Sequence, residues 1–205
     1  RDESKDTVMH VLRSFDINKP GTKIKNLKGG VIGGSLTQGK FSIGDEIEIK
    51  PGILNGKKKS YEPIQTEIVS LGTGAGTVDS VKPGGLVAIG TKLDPSISRS
   101  DSLLGSVIGK PNTLPENSTE AKLKISLFDT AVGTQGDTKV TPVKVGELLR
   151  VNIGTAPVPG KVNKAKDSEI EIEFKRPVCL FTDESVALSR RISERWRLVG
   201  AGTVV

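Results

Sequence analysis

Short apolar segments separated by glycine- or proline-bearing turns recur every several residues along this chain. That spacing constrains the fold more than any single motif. From Gly29 the sequence runs GGVIGGSLTQGKFSIGDEIEIKPG. Apolar pieces of about four to eight residues between such turns build antiparallel hairpins rather than helices. Asn55-Gly56 is a strong hairpin dipeptide, because both residues readily take positive φ. It places Lys57, Lys58 and Lys59 at a loop tip. Strands are expected at 8–15 (VMHVLRSF), 63–71, the end of 81–91 (VKPGGLVAIGT), 103–108 and 121–128. Residues 168–174 (SEIEIEF) alternate strictly, with Ile170, Ile172 and Phe174 inward and Glu169, Glu171 and Glu173 outward. The tail 186–205 reads as two strands around a Ser193-Glu194 turn. No segment of ten residues or more carries a strong helical period, so the chain is expected to be all-β.

The same punctuation organises the domains. Residues 110–118 (KPNTLPENS) hold two Pro, two Asn and a Ser, the strongest candidate boundary. On either side of it one pattern recurs: Ile43-Gly44-Asp45-x-x-x-Ile49 and Val145-Gly146-Glu147-x-x-x-Val151. The expectation is two consecutive antiparallel β-barrels, the first over 8–112 and the second over 120–205. Residues 1–7 and 113–119 then read as linkers, and 129–139 as a polar loop.

Composition removes several classes. One Cys and one His exclude a disulfide framework and an all-Cys/His zinc site. No apolar run approaches the ~20 residues of a membrane-spanning helix, and no signal-peptide pattern is visible. A cytoplasmic protein with no membrane partner is expected. The first residue is Arg, so the chain is expected to be a piece of a longer one.

Several motifs are weaker than they look. Gly34-Ser35-Leu36-Thr37-Gln38-Gly39-Lys40 matches a phosphate-binding loop up to its Lys. Phe41 then stands where Ser or Thr must hold magnesium, and a strand follows instead of a helix. A hairpin turning at Gln38-Gly39 is the better reading. Asn18-Lys19 is followed by Gly21 where a guanine-reading loop has Asp. His10 lies in an apolar strand with no nucleophile context, and Cys179, in PVCLF, reads as a buried inert thiol. No catalytic or metal-binding residues are expected. Arg190, Arg191, Arg195 and Arg197 form a basic face open to nucleic acid, a partner protein or solvent, with Trp196 expected in the core. The pairs Gly29-Gly30, Gly33-Gly34 and Gly84-Gly85 suit either close strand packing or close approach of a ligand.

Several stretches together resemble one family. FDINKPG at 15–21, LKGGVIGGS at 27–35, GDEIEIKPG at 44–52 and KPGGLVAIGTKLDP at 82–95 resemble the second domain of the gamma subunit of archaeal and eukaryotic translation initiation factor two. SDSLLGSVIGKPNTLP at 100–115 is similar to the exit from that domain. GELLRVNIGTA at 146–156 and ALSRRISERWRLVGAGTV at 187–204 resemble its third domain. The order is collinear over nearly the whole chain. The last stretch is also similar to the close of elongation factor Tu.

The resemblance implies two β-barrels of the translation-factor type whose GTPase domain, with its GTP and magnesium, is absent here. It implies a factor that carries methionyl initiator tRNA to the small ribosomal subunit in a GTP-dependent complex. The first barrel would meet the aminoacylated end of the tRNA through Gly33, Gly34, Gly84, Gly85 and Gly90, with Val87 and Ala88 lining a methionine pocket and Lys40 and Lys82 meeting phosphates. An alpha subunit would dock on Asp16, Asn18, Lys19 and the 53–62 loop, including Lys57, Lys58 and Tyr61. A beta subunit would bind the GTPase domain. The fragment itself would be no enzyme. An elongation-type GTPase carrying another aminoacyl-tRNA, such as a selenocysteine-specific factor, and a stand-alone interaction module are the alternatives.

Overall fold

The computed structural model describes residues 2–134 and 138–205. Arg1 and the 135–137 part of the expected polar loop lie outside the described residues. The chain divides into two compact units, one ending at Leu114 and one running from Pro115 to Val205.

The first unit contains β1 (Val8–Phe15), β2 (Val31–Gln38), β3 (Phe41–Ser42), β4 (Glu46–Asn55), β5 (Ser60–Thr73), β6 (Gly76–Val78), β7 (Ser80–Val81), β8 (Leu86–Thr91), a short helix α1 (Pro95–Ser98) and β9 (Val107–Gly109). The strands follow the order β4-β9-β1-β2-β8-β5, and β5 pairs back onto β4, closing an antiparallel six-stranded barrel flanked by β6. Alternate residues fill it: Met9 and Val11, Ile47 and Ile49, Val87 and Ile89, together with Phe41 and Leu71. The second unit contains β10 (Asn117–Leu127), β11 (Leu148–Ile153), β12 (Ala156–Lys166), β13 (Glu169–Cys179), β14 (Ser185–Ile192) and β15 (Arg195–Val204). It closes in the order β10-β13-β12-β11-β14-β15 around Leu123, Leu149, Val151, Ile170, Ile172 and Val199. The expected all-β pair of antiparallel barrels is therefore present. Among the described residues the only α-helix is the four-residue α1, and no helix is long and apolar enough to cross a membrane.

The repeated sequence pattern is a repeated structural joint. Gly44 sits at φ +88° and Gly146 at +85°, conformations that a Cβ disfavours. Gly44 N–H donates to Ile68 O (2.8 Å), and Ile68 N–H returns a bond to Asp45 O (3.0 Å). Gly146 N–H donates to Val162 O (2.7 Å), and Val162 N–H returns to Glu147 O (2.9 Å). The acids play one role: Asp45 Oδ2 accepts Ser42 N–H (2.8 Å) and Glu147 Oε2 accepts Lys144 N–H (3.1 Å). Each joint launches a strand, β4 or β11, against a facing strand of its own barrel.

Three local expectations change, and a fourth holds with an addition. Only 107–108 of the expected strand 103–108 belong to a strand, β9; Leu103 N–H is held by Ser14 Oγ (3.1 Å) and Ser106 N–H by Leu103 O, which turns the chain first. Gln38-Gly39 does turn, with Gly39 at φ +74°, but β3 leaves β2 and pairs with β7 instead, so there is no hairpin. Glu169, Glu171 and Glu173 do face outward, yet two are ion-paired across the sheet, Glu169 with Lys122 and Glu171 with Lys164, each at 2.8 Å. Trp196 is half-buried outside the core cluster, with the Arg150 guanidinium 5.2 Å from its ring centre. A register shift between Leu188 and Ser189 places Val199, not Trp196, in the barrel.

Candidate RNA-contacting surface

Three small residues lie side by side on the outer wall of the first barrel. Gly33 on β2 pairs with Ala88 on β8, and Ala88 pairs with Gly72 on β5. They floor a shallow trough walled by Leu12, Phe15 and Leu86, the last 68% exposed. Leu12 points outward by alternation, since it follows the inward Val11, and the β1–β2 register shift between Val11 and Arg13 keeps Arg13 outward as well and turns Ser14 inward. At Gly33 an added Cβ would find nothing nearer than Arg13 Cβ at 3.8 Å. The floor is therefore open to a ligand rather than closed by a neighbouring strand.

A second depression adjoins the trough, sharing Thr73, Gly74, Leu86 and Val87 with it and adding Lys82, Gly84 and Gly85. Antiparallel pairing of Phe41 with Val81 puts Lys40 opposite Lys82 in register. Both lysines are exposed, and Lys82 Nζ reaches Glu3 at 2.9 Å. Gly33, Lys82, Gly84, Gly85 and Ala88 are thus gathered on one side of the barrel, with Lys40 facing Lys82. Val87 contributes backbone only, since its side chain belongs to the core. Gly34 lines the trough with backbone alone, because a Cβ on it would point at the His10 carbonyl, and Gly90 lines neither depression, its Cβ direction being taken by Ser70 Oγ. Leu12, Phe15, Gly72 and Leu86 belong to the surface but escaped the sequence reading. For Leu86 a signal existed, because it alternates with the buried Val87 and Ile89.

The second predicted surface lies at one end of the same barrel. β1 and β4 both run antiparallel to β9, so the 16–30 connection and the β4–β5 hairpin open at the same end. Asn18 shapes the connection: its Nδ2 donates to Lys28 O and its Oδ1 accepts Lys28 N–H, each at 2.8 Å. Asp16 Oδ1 caps Asn18 N–H (2.8 Å). Lys19 is exposed, as are Ile17, Ile24 and Leu27 nearby. On the hairpin, Lys58 pairs with Glu62 (2.7 Å), which pulls the Glu62 carboxyl below its ordinary pKa and raises that of Lys58, chiefly through their shared hydrogen bond. Lys57 is exposed and Tyr61 half-buried opposite Leu54.

The arginine face divides. Arg190 forms a two-pronged pair with Glu147 and also donates to Thr141 O (3.1 Å), and Arg191 pairs with Glu194. Arg195 and Arg197 line a polar depression instead. His10 is mostly buried, and that burial lowers its pKa. Cys179 is 4% exposed, a buried thiol as expected. Among the described residues no three His, Cys, Asp or Glu side chains form a metal-binding group.

Two consecutive six-stranded antiparallel barrels launched by matching glycine joints are the architecture that the resemblance to translation factors implies. Residues 119–204 match the family described as initiation factor eIF2 gamma, C terminal. The chain is 47% identical over 206 residues to translation initiation factor 2 subunit gamma of Methanocaldococcus jannaschii, covering all of this chain and 50% of that protein. It is 49% identical to the gamma subunit of Pyrococcus furiosus (100% of this chain, 50% of that protein). It is also 49% identical to that of Methanopyrus kandleri (96% and 48%). The chain belongs to the translation initiation factor 2 gamma-subunit family, and it spans about half the length of the curated relatives it matches.

Proposed function

We propose that this chain is the aminoacyl-end and alpha-subunit binding part of a gamma subunit that brings methionyl initiator tRNA to the small ribosomal subunit. One observation carries the reading: a floor of small residues, Gly33-Ala88-Gly72, walled by apolar side chains and adjoining a lysine pair. An esterified methionine is a slender apolar chain on a phosphate-bearing strand, and such a trough suits both halves of it. The backbone around Gly84 and Gly85 is open to the terminal adenosine, and Lys40 and Lys82 supply cations for neighbouring phosphates. GTP and magnesium belong to a GTPase domain outside this chain, as does the beta-subunit contact; these barrels hydrolyse nothing themselves. Exposed Ile17, Ile24 and Leu27, ringed by lysines and beside the 53–62 hairpin, form the surface for the alpha subunit.

The test is protection of the methionyl ester from hydrolysis by a full-length gamma subunit carrying this sequence. Leu86→Glu should abolish protection, and Lys82→Glu should weaken tRNA binding tenfold or more, since a positioned phosphate contact is lost and a repulsion gained. Undiminished protection by a folded Leu86→Glu protein removes the trough from the site. Calorimetric titration of the alpha subunit's C-terminal domain into the 205-residue chain tests the second surface, with micromolar or tighter binding expected.

A further inference from the structure

Arg195 and Arg197 lie side by side in a depression of the second barrel, and neither side chain forms an ion pair or hydrogen bond with a described residue. Ser193, Thr134, Thr138 and Ile192 complete its lining. Its walls are fixed by backbone bonds. On one side, Val132 N–H donates to Leu198 O (2.9 Å), Ala131 N–H to Thr138 O (2.9 Å), and Thr134 Oγ1 to Ala131 O (3.0 Å). On the other, β14 and β15 meet at Ser193 and Glu194, both at positive φ. Gly133, at φ +75°, completes the seat: a Cβ there would lie 2.9 Å from an Arg197 guanidinium nitrogen. The planar head of Arg197 thus rests over bare backbone. The other two arginines of the 190–197 cluster are paired with Glu147 and Glu194, which leaves Arg195 and Arg197 as the cluster's two side chains without an acidic partner among the described residues.

We propose that this depression is a phosphate site that receives one phosphodiester group of an RNA strand. Two guanidinium groups supply forked donors that match phosphate oxygens. The hydroxyls of Ser193 and Thr138 add donors of the right reach. Exposed Lys139 adds positive charge beside it. The site is on the second unit, whereas the proposed tRNA-end trough and alpha-subunit surface are on the first, and it does not depend on either assignment.

The test uses the 205-residue chain, with RNA binding read by the anisotropy of a labelled strand and phosphate binding by the fluorescence of the single tryptophan, Trp196, which neighbours both arginines in sequence with its ring against Arg150. The probes are a short RNA duplex of about one helical turn and inorganic phosphate, each titrated over a range of KCl concentrations. Arg195→Gln/Arg197→Gln is expected to weaken RNA binding tenfold or more and to flatten the slope of log K against log salt by about one, the share of a single phosphate contact. Lys161→Gln/Lys175→Gln, with the same charge removed from exposed positions on β12 and β13, should change affinity less than threefold. Arg195→Lys/Arg197→Lys keeps the charge and loses the forks; it should still lose most of the affinity. Equal binding by wild type and the Arg→Lys protein overturns the built site and leaves only diffuse charge. Millimolar phosphate that quenches Trp196, with RNA binding indifferent to all three variants, overturns the RNA source and leaves a site for the free anion.

Discussion

Arg13 Nε donates to Asp101 Oδ1 at 2.9 Å, and the same carboxylate oxygen accepts the Ser14 N–H at 2.9 Å. Asp101 thereby ties β1 to the turn that returns the chain to β9. The turn is unusual in its own backbone, with Ser100 at φ +55° and Asp101 at +58°. Asp tolerates this conformation better than most residues because its short side chain can bond locally. The two donors, Arg13 first and then the Ser14 amide, hold the Asp101 carboxyl below its ordinary pKa. A depressed carboxylate stabilises the fold above its unfolded pKa, and that contribution disappears as pH falls through the folded value. Asp101→Asn should therefore lower the melting temperature at neutral pH. The gap between variant and wild type should close as pH drops below the carboxylate range, as thermal melts across pH would show. A gap that persists in acid would mean that the turn conformation, not the charge, sets the effect.

Adjacent glycines on β2 make opposite demands. At Gly34 a Cβ would run into the His10 carbonyl and within 2.8 Å of the Met9 methyl, because β1 crosses closest there. Backbone cannot step aside cheaply, so Gly34→Ala should cost about 1–3 kcal/mol or more. At Gly33 the nearest atom would be 3.8 Å away, and Gly33→Ala should change stability by no more than about 0.5 kcal/mol. Chemical denaturation of both proteins checks the pair. If Gly33 carries the tRNA-end role, its alanine variant should weaken ester protection while leaving the unfolding midpoint in place.

How much of this was legible depended on the range of each interaction. The Ser193-Glu194 turn, the hairpin after Asn55 with Lys57, Lys58 and Lys59 at its tip, and the alternation in 170–174 are local, and each stands where the sequence puts it, although the positive φ of the hairpin loop falls on Lys59 and not on Asn55 or Gly56. The glycine joint at 43–49 and 145–151 was legible as a repeat, because the same backbone problem is solved twice with the same residues. The failures are non-local. No local signal tells Phe41 and Ser42 to pair with Ser80 and Val81, nearly forty positions on. Alternation around Trp196 gives two faces without saying which is inside, and the register shift at Leu188 reverses the guess. At the trough, paired glycines looked alike in sequence, and only the strands laid across them separate Gly33 from Gly34 and Gly90.

Glu184 supplies a pH effect of the opposite sign. It precedes β14 partly buried, and burial raises its carboxyl pKa even though its Oε2 accepts the Phe181 N–H at 3.3 Å. A raised carboxyl favours folding while it is protonated, and that advantage is lost as pH rises through the folded value. Glu184→Gln keeps an acceptor for Phe181 and removes the buried charge. The variant should melt higher than wild type at neutral pH, with the advantage shrinking as pH falls into the range where Glu184 protonates. A Gln protein that melts lower at every pH would show that the carboxylate is better solvated than its position implies.

The two barrels carry separate cores, which predicts how the chain comes apart. Phe41 is fully buried among Met9, Ile32, Ile47 and their neighbours in the first unit, and the second unit's core contains none of these residues. Phe41→Ala should leave a cavity worth about 3–5 kcal/mol to the first barrel. Two-domain chains need not unfold in one step, so calorimetry of the variant should show one transition moved to lower temperature and the other in its original place. The Cys179 thiol identifies the second transition, because it is 4% exposed within the second barrel. Its reaction with a thiol reagent should stay slow in Phe41→Ala through the first transition and accelerate only at the second. A thiol that opens with the first transition would show instead that the barrels unfold as one cooperative unit.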